Sequence, residues 1–152
     1  MTAAVVIGVG NPFRHDDGIG PTAAELVGQA APEVDVFELD GEAVGLMTAW
    51  ADRQVAIVID AMRAGGAAGS IHRVEVGVDP LPDWAPQGST HGAGLAEAVA
   101  LGRALDLLPG QLIVYGVEPA DVSDGQGLSP AVQHALPELV DRIVAEVSSR
   151  CA

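Results

Sequence analysis

"AAVVIGVGNPFRHDDGIGPTAAELVGQA", residues 3–30, runs from a strand through a glycine turn into a helix. Its first eight residues are small or β-branched and close on Gly8 and Gly10. A short apolar run of this kind predicts a buried strand over 3–10. Residues 18–30 gather Ala, Leu and Val on one face, with Pro21 in the first turn, where a missing N–H costs little; they predict a helix. The turn between them raises a chemical question. A glycine turn leading into a helix commonly cradles phosphate, yet this one carries Asp16 and Asp17, and acids repel phosphate.

The rest of the chain keeps the same alternation. "EVDVFEL" (33–39) reads as a strand, 43–51 as a short helix, and "QVAIVID" (54–60) as a central parallel strand, apolar throughout. Residues 70–77 alternate Ile, Val and Val like an edge strand. Residues 78–90 hold three prolines and read as a loop. A helix follows over 92–108, with Leu95, Val99 and Leu105 near helical spacing. Residues 111–118 form another buried strand. The last helix, 129–150, is expected to break or restart at Pro137. Strands alternating with helices predict an α/β three-layer sandwich: a mostly parallel twisted sheet of about five strands with helices on both faces. At this length a single domain over 1–152 is expected.

Seven basic residues stand against 21 acids, for a net charge of −14. That balance argues against nucleic acid and against an anionic membrane as partners, because both need Lys and Arg. It suits a protein partner with a basic face, and equally plain solubility. The single cysteine, Cys151, excludes an intrachain disulfide. The first ten residues lack a basic leader and read as a buried strand rather than a signal peptide. No apolar stretch reaches membrane-spanning length.

Parallel sheets place ligands beyond the carboxyl ends of their strands. Three residues fall there: Asp17 after the first strand, Asp60 closing the central one, and His91 before a helix. Two carboxylates and an imidazole suit a divalent cation with positions left open. Blander roles compete. Asp16 or Asp17, Asp16 first, is expected to cap the helix beginning near Gly18; Asp60 could be a turn residue, and His91 could sit in a cap made by Ser89 and Thr90. His15 shares the first loop and could touch substrate or support the site, whereas His72 and His134 look like ordinary surface residues. Glu118 follows a strand and could line the same rim, cap a helix or make a salt bridge. A dinucleotide site fits poorly: Phe13 stands where the third glycine belongs, although Asp40 could serve as the ribose acid. Ser89 is near His91 only along the chain, which is no basis for a nucleophile.

Taken together, "GVGNPFRHDDGIGP", "DGEAVGLMTAW", "VIDAMRAGG", "STHGAGLAEAVAL" and "YGVEPADVSDGQGLSPAVQHALPELV" resemble the hydrogenase maturation endopeptidases over nearly the full chain. The resemblance implies a cytoplasmic endopeptidase that removes a C-terminal extension from a [NiFe]-hydrogenase large-subunit precursor after nickel insertion. It implies that Asp17, Asp60 and His91 engage nickel carried by that substrate, that Asp17 and Asp60 are the catalytic carboxylates, and that no organic cofactor is needed. Asp17 stands where the family allows Glu or Asp. His15, and Glu42 in the "DGEA" loop, depart from many relatives and bear on substrate identity. Two other readings stand beside this one: a non-catalytic chaperone docking on a metalloprotein, and a peptidase with its own resident metal.

Overall fold

A computed structural model describes residues 3–80 and 91–150, with the backbone alone at 91–93. Five strands make one sheet: β1 (Ala4–Val9), β2 (Asp35–Leu39), β3 (Val55–Ala61), β4 (Ile71–Glu75) and β5 (Gln111–Val117). Their order is β2-β1-β3-β5-β4, parallel except for β4, which lies antiparallel on the edge. The four helices are α1 (Ile19–Ala30), α2 (Ala43–Trp50), α3 (His91–Leu105) and α4 (Pro130–Arg150), and one 3-10 turn (His15–Gly18) precedes α1.

The two-residue period of the strands divides the core in two. Val6, Ile57, Ile59, Ile113, Tyr115 and Val117 face α1 and α4. Val5, Ile7, Val9, Val58, Leu112 and Val114 face α2 and α3. The three-layer architecture is the one the alternation predicts. The central strands β1, β3 and β5 are buried on both sides, which explains their unbroken apolar runs.

Two expectations fail for identifiable reasons. Pro137 lies inside an unbroken α4. An interior proline costs about 3 kcal/mol, but Val132, Leu136, Leu139, Ile143 and Val147 are all buried along this helix. Burying each such side chain contributes about 1.5–3 kcal/mol, which outweighs the defect. Leu105 is 56% exposed rather than part of the core. At about 100° per residue it stands roughly 240° around the helix from Val99, off the buried stripe. The helix stops there because Asp106 takes a left-handed φ of 56° and Leu107 N–H donates back to the Gly102 carbonyl at 2.8 Å.

Candidate active site

The carboxyl ends of β1, β3 and β5 form one rim, and the first acidic motif is pressed against it. Gly20 lets α1 seat there: a Cβ at this position would stand 2.2 Å from the Val9 carbonyl oxygen and 2.5 Å from that of Ile59. The 3-10 turn just before it carries Asp16 and Asp17, both buried.

The two neighbouring acids do different things. Asp16 is fully buried and points away from the helix it was expected to cap. Its Oδ2 accepts from the Ala120 and Asp121 amides at 2.8 and 3.0 Å and from the Ser129 hydroxyl at 2.7 Å. Its Oδ1 accepts from Ser129 N–H at 2.7 Å. Burial pushes its carboxyl up, but the four hydrogen bonds overcome this and hold it below the usual carboxylate range. Gly18 is the α1 cap residue and has no side chain to offer, so neither acid caps the helix. Asp16 instead clasps the first loop to the segment between β5 and α4. Asp17, 5% exposed, accepts from the Asn11 amide at 2.8 Å through Oδ2.

Asp60 is the penultimate residue of β3 and is 3% exposed. It shares the parity of Val58, so it faces the α2/α3 side of the sheet. That is the side on which α3 begins. The chain leaving α3 returns to the opposite rim, where Gly110 and Gln111 donate to the Arg53 and Gln54 carbonyls at 3.0 and 2.8 Å. Its first residue, His91, therefore starts at the carboxyl rim. The first turn of α3 packs on the loop after β2, since a Cβ on Gly94 would lie 2.0 Å from the Gly41 oxygen. The structure thus brings Asp17, Asp60 and the His91 backbone to one end of the sheet. Ser89 and Thr90 lie outside the described residues. Among those described, no group of three or more His, Cys, Asp or Glu has the spacing of a metal site.

The remaining candidates have structural duties. Glu118 neither caps a helix nor, among the described residues, makes a salt bridge: its carboxylate accepts from the Ala64 and Gly65 amides at 2.7 and 3.2 Å, bracing the loop after β3. Glu42 caps α2, accepting from Val44 and Gly45 N–H at 3.0 and 3.1 Å. Asp40 accepts from the Glu42 amide at 3.1 Å. His15 holds a left-handed φ of 43°, and its Nδ1 lies 3.0 Å from the Gly127 carbonyl. His134 is exposed as expected. His72 is not an ordinary surface residue: it is half-buried on β4 in register with Gly116, and its Nε2 is enclosed without a hydrogen-bond partner. Gly116 is also the register partner of Asp60. Side-chain parity along the edge strand could have flagged His72, because it shares its row with Asp60.

A doubly wound α/β sheet with nearly buried carboxylates at its carboxyl rim defines a small α/β protein with an acidic site outside the strand ends. The family model of the hydrogenase maturation proteases matches residues 22–146, a span that holds Asp60 and His91 and starts just after Asp17. The chain belongs to that family. Hydrogenase expression/formation protein HupD of Bradyrhizobium diazoefficiens is 31% identical over 144 residues, which cover 90% of this chain and 73% of that protein. HupD of Thiocapsa roseopersicina is 30% identical over 141 residues; the match takes in 90% of this chain but only 64% of the relative's length. The fold is that of the hydrogenase maturating endopeptidase HybD from E. coli, with a TM-score of 0.81 at 24% identity, covering 98% of this chain and 93% of that one. The HybD maturation protease of Thermococcus kodakarensis has the same fold, with a TM-score of 0.74 at 19% identity over 97% and 99% of the two chains. Among the described residues, no helix is long and apolar enough to cross a membrane.

Proposed function

We propose that this chain is the endopeptidase that removes the C-terminal extension of a [NiFe]-hydrogenase large-subunit precursor once nickel is in place, working in the cytoplasm as one domain. The observation that carries the proposal is convergence at one rim. Asp60 faces the side on which His91 opens α3, and the loop holding Asp17 packs beside it, in a chain of the hydrogenase maturation protease family.

Nickel in this scheme arrives with the substrate. Asp17, Asp60 and His91 offer it two carboxylates and an imidazole, a donor set that leaves other positions to the precursor's own ligands. Engaging the ion reports that the partner is loaded and sets the peptide over the rim. The ion polarises the scissile carbonyl. One carboxylate, Asp17 or Asp60, takes a proton from the attacking water as its oxygen bonds to the carbonyl carbon. The C–N bond then breaks and that proton leaves with the amine of the released extension.

Mass spectrometry of the precursor's C-terminus, before and after mixing with the protein, tests this. The extension should be lost from nickel-loaded precursor and retained on nickel-free precursor. An intact C-terminus in both would leave a chaperone. Equal cleavage of both, together with stoichiometric metal in the protein as purified, would mean a peptidase with a resident ion.

A further inference from the structure

Beside the acidic turn lies a small cleft that the reaction does not use. Pro12, Phe13 and Leu128 line it together with His15, Thr22 of α1 and Gln126. Gly18, the residue after Asp17, lies in its lining. The volume is about 250 Å3. That is below the range of pockets for whole small-molecule ligands and suits a single side chain.

The backbone of Phe13 and His15 is fixed before anything binds. Phe13 N–H donates to Asn11 Oδ1 at 2.9 Å, and the Phe13 carbonyl accepts from Gly125 N–H at 2.8 Å. His15 N–H donates to the Gly125 carbonyl at 2.9 Å, and the His15 ring meets the Gly127 carbonyl. A neutral imidazole facing a carbonyl through Nδ1 must carry its proton there. Gly125, at φ +144°, has no room for a Cβ: one would stand 2.2 Å from His15 Nε2. Yet Phe13, on this pinned backbone, leaves 61% of its surface in water. On a backbone already fixed, binding orders only this side chain and takes its apolar surface out of water, as at the aromatic residues enriched in interfaces.

We infer that this cleft is a subsite for one apolar side chain of the polypeptide substrate, close to the bond that is cut. The inference rests on the proposed peptidase function. Gly18 joins Asp17 directly to the cleft lining, so the cleft lies one residue from a carboxylate that the proposed reaction uses. The occupant is apolar because the proline, phenylalanine and leucine walls offer it hydrocarbon. It is a side chain rather than a folded element because there is room for no more.

The test uses the nickel-loaded precursor and two precursors with glycine at one or the other residue flanking the cut, following extension release. With native precursor, Phe13→Ala should raise KM on the order of tenfold while kcat changes little. Phe13→Leu should recover most of that loss. Thr22→Phe, which fills the cleft, should handicap native precursor and cleave one glycine precursor as well as the wild-type protein does. Phe37→Ala, an exposed ring on β2 away from the cleft, should change nothing. Wild-type KM for native precursor in both Phe13→Ala and Thr22→Phe would overturn the subsite. So would an equal rise in KM for native and both glycine precursors, which would make Phe13 a general docking contact. If the wild-type protein leaves native precursor uncut, the peptidase reading itself falls and takes the subsite with it.

Discussion

Two regions of this molecule bury carboxylates, and they satisfy them by opposite means. At the β4/β5 edge, Glu146 of α4 is gripped by guanidinium groups: Arg73 Nε and Nη2 at 3.0 and 2.6 Å and Arg150 Nε at 3.1 Å, with the Tyr115 hydroxyl donating as well. Arg142 lies over the Tyr115 ring. At the carboxyl rim, Asp16 and Glu118 are held by backbone amides and one serine hydroxyl, and Asp17 accepts from the Asn11 amide. A guanidinium both satisfies the oxygen and cancels its charge. An amide satisfies the oxygen and leaves the charge in place. The edge therefore works as a lock between α4 and the sheet, whereas the amides that hold Asp16 and Glu118 satisfy their oxygens without supplying a counter-charge. All seven basic residues are arginines, and three of them serve the edge.

The sharpest way to break this contrast is to delete an acid from each region. Asp17→Ala and Asp60→Ala should each lower extension removal by about a thousandfold or more while thermal unfolding stays near that of the parent. His91→Ala should behave alike. Glu146→Ala should do the reverse. It removes the carboxylate that Arg73 and Arg150 share, leaving Glu75 as the acid beside both, and should cost about 2–4 kcal/mol in urea unfolding, with kcat per folded molecule preserved. Wild-type cleavage by the Asp17 and Asp60 variants would leave the rim a structural feature only.

Acid should open the two regions by the same sign of linkage. Burial pushes the Glu146 carboxyl up, but hydrogen bonds from Arg73, Tyr115 and Arg150 win and bring it to about 2. A carboxylate held below its unfolded value of 4.5 contributes stability above that pH and loses it as pH falls toward 2. Asp16 is depressed in the same direction and follows the same course. Tyr115 is pushed by burial, then by its bond to Glu146, up to about 12, so its contribution is complete below pH 10 and fades only above it. Urea midpoints should therefore be flat from about pH 5 to 10 as far as these groups are concerned. They should fall below pH 5, and Glu146→Gln should flatten part of that fall. A fall of unchanged steepness in Glu146→Gln would mean that the lock does not govern acid stability.

The clasp gives a smaller effect. Asp16→Asn must turn an NH2 group toward either one amide donor or three donors, and the better choice still sets it against Ser129 N–H. A loss of about 1–3 kcal/mol is expected in urea unfolding. A loss well under 1 kcal/mol would show that the first loop and the β5–α4 segment hold together without it.

How much of this was written locally can be judged from the same residues. The strand, turn and helix of 3–30 were legible because hydrophobic period and glycine placement are local properties. Asp60 was legible as a site candidate because an acid ending an apolar strand costs desolvation and invites a role. The division of labour between Asp16 and Asp17 was not. The donors that occupy Asp16 lie 104 to 113 residues further along the chain, and nothing near Asp16 announces them. Glu118 hid its duty in the same way, with its amides 53 and 54 residues back. His72 was missed because a residue on an edge strand reads as exposed until its register partner is known. Pro137 was misjudged because a propensity was weighed without the buried face that overrides it.

The smallest expected effect lies at the amino rim, where a third kind of pairing joins Arg53, 5% exposed, to Asp35, 39% exposed, at 2.7 Å. One partner is buried and the other stands half in water, so the pair lies between the locked edge and the amide-held rim. Asp35→Asn keeps an oxygen for the Arg53 hydrogen bond and removes only the charge. Because water screens the exposed end, the loss should be under about 1 kcal/mol and should shrink further in high salt. Extension removal should be unchanged, since the pair sits at the opposite end of the strands from Asp17 and Asp60. A loss as large as that of Glu146→Ala would mean that a guanidinium at the sheet's amino rim depends on its carboxylate as strongly as the edge network does. Charge cancellation would then be a general device of this fold, and the amide-held rim its exception.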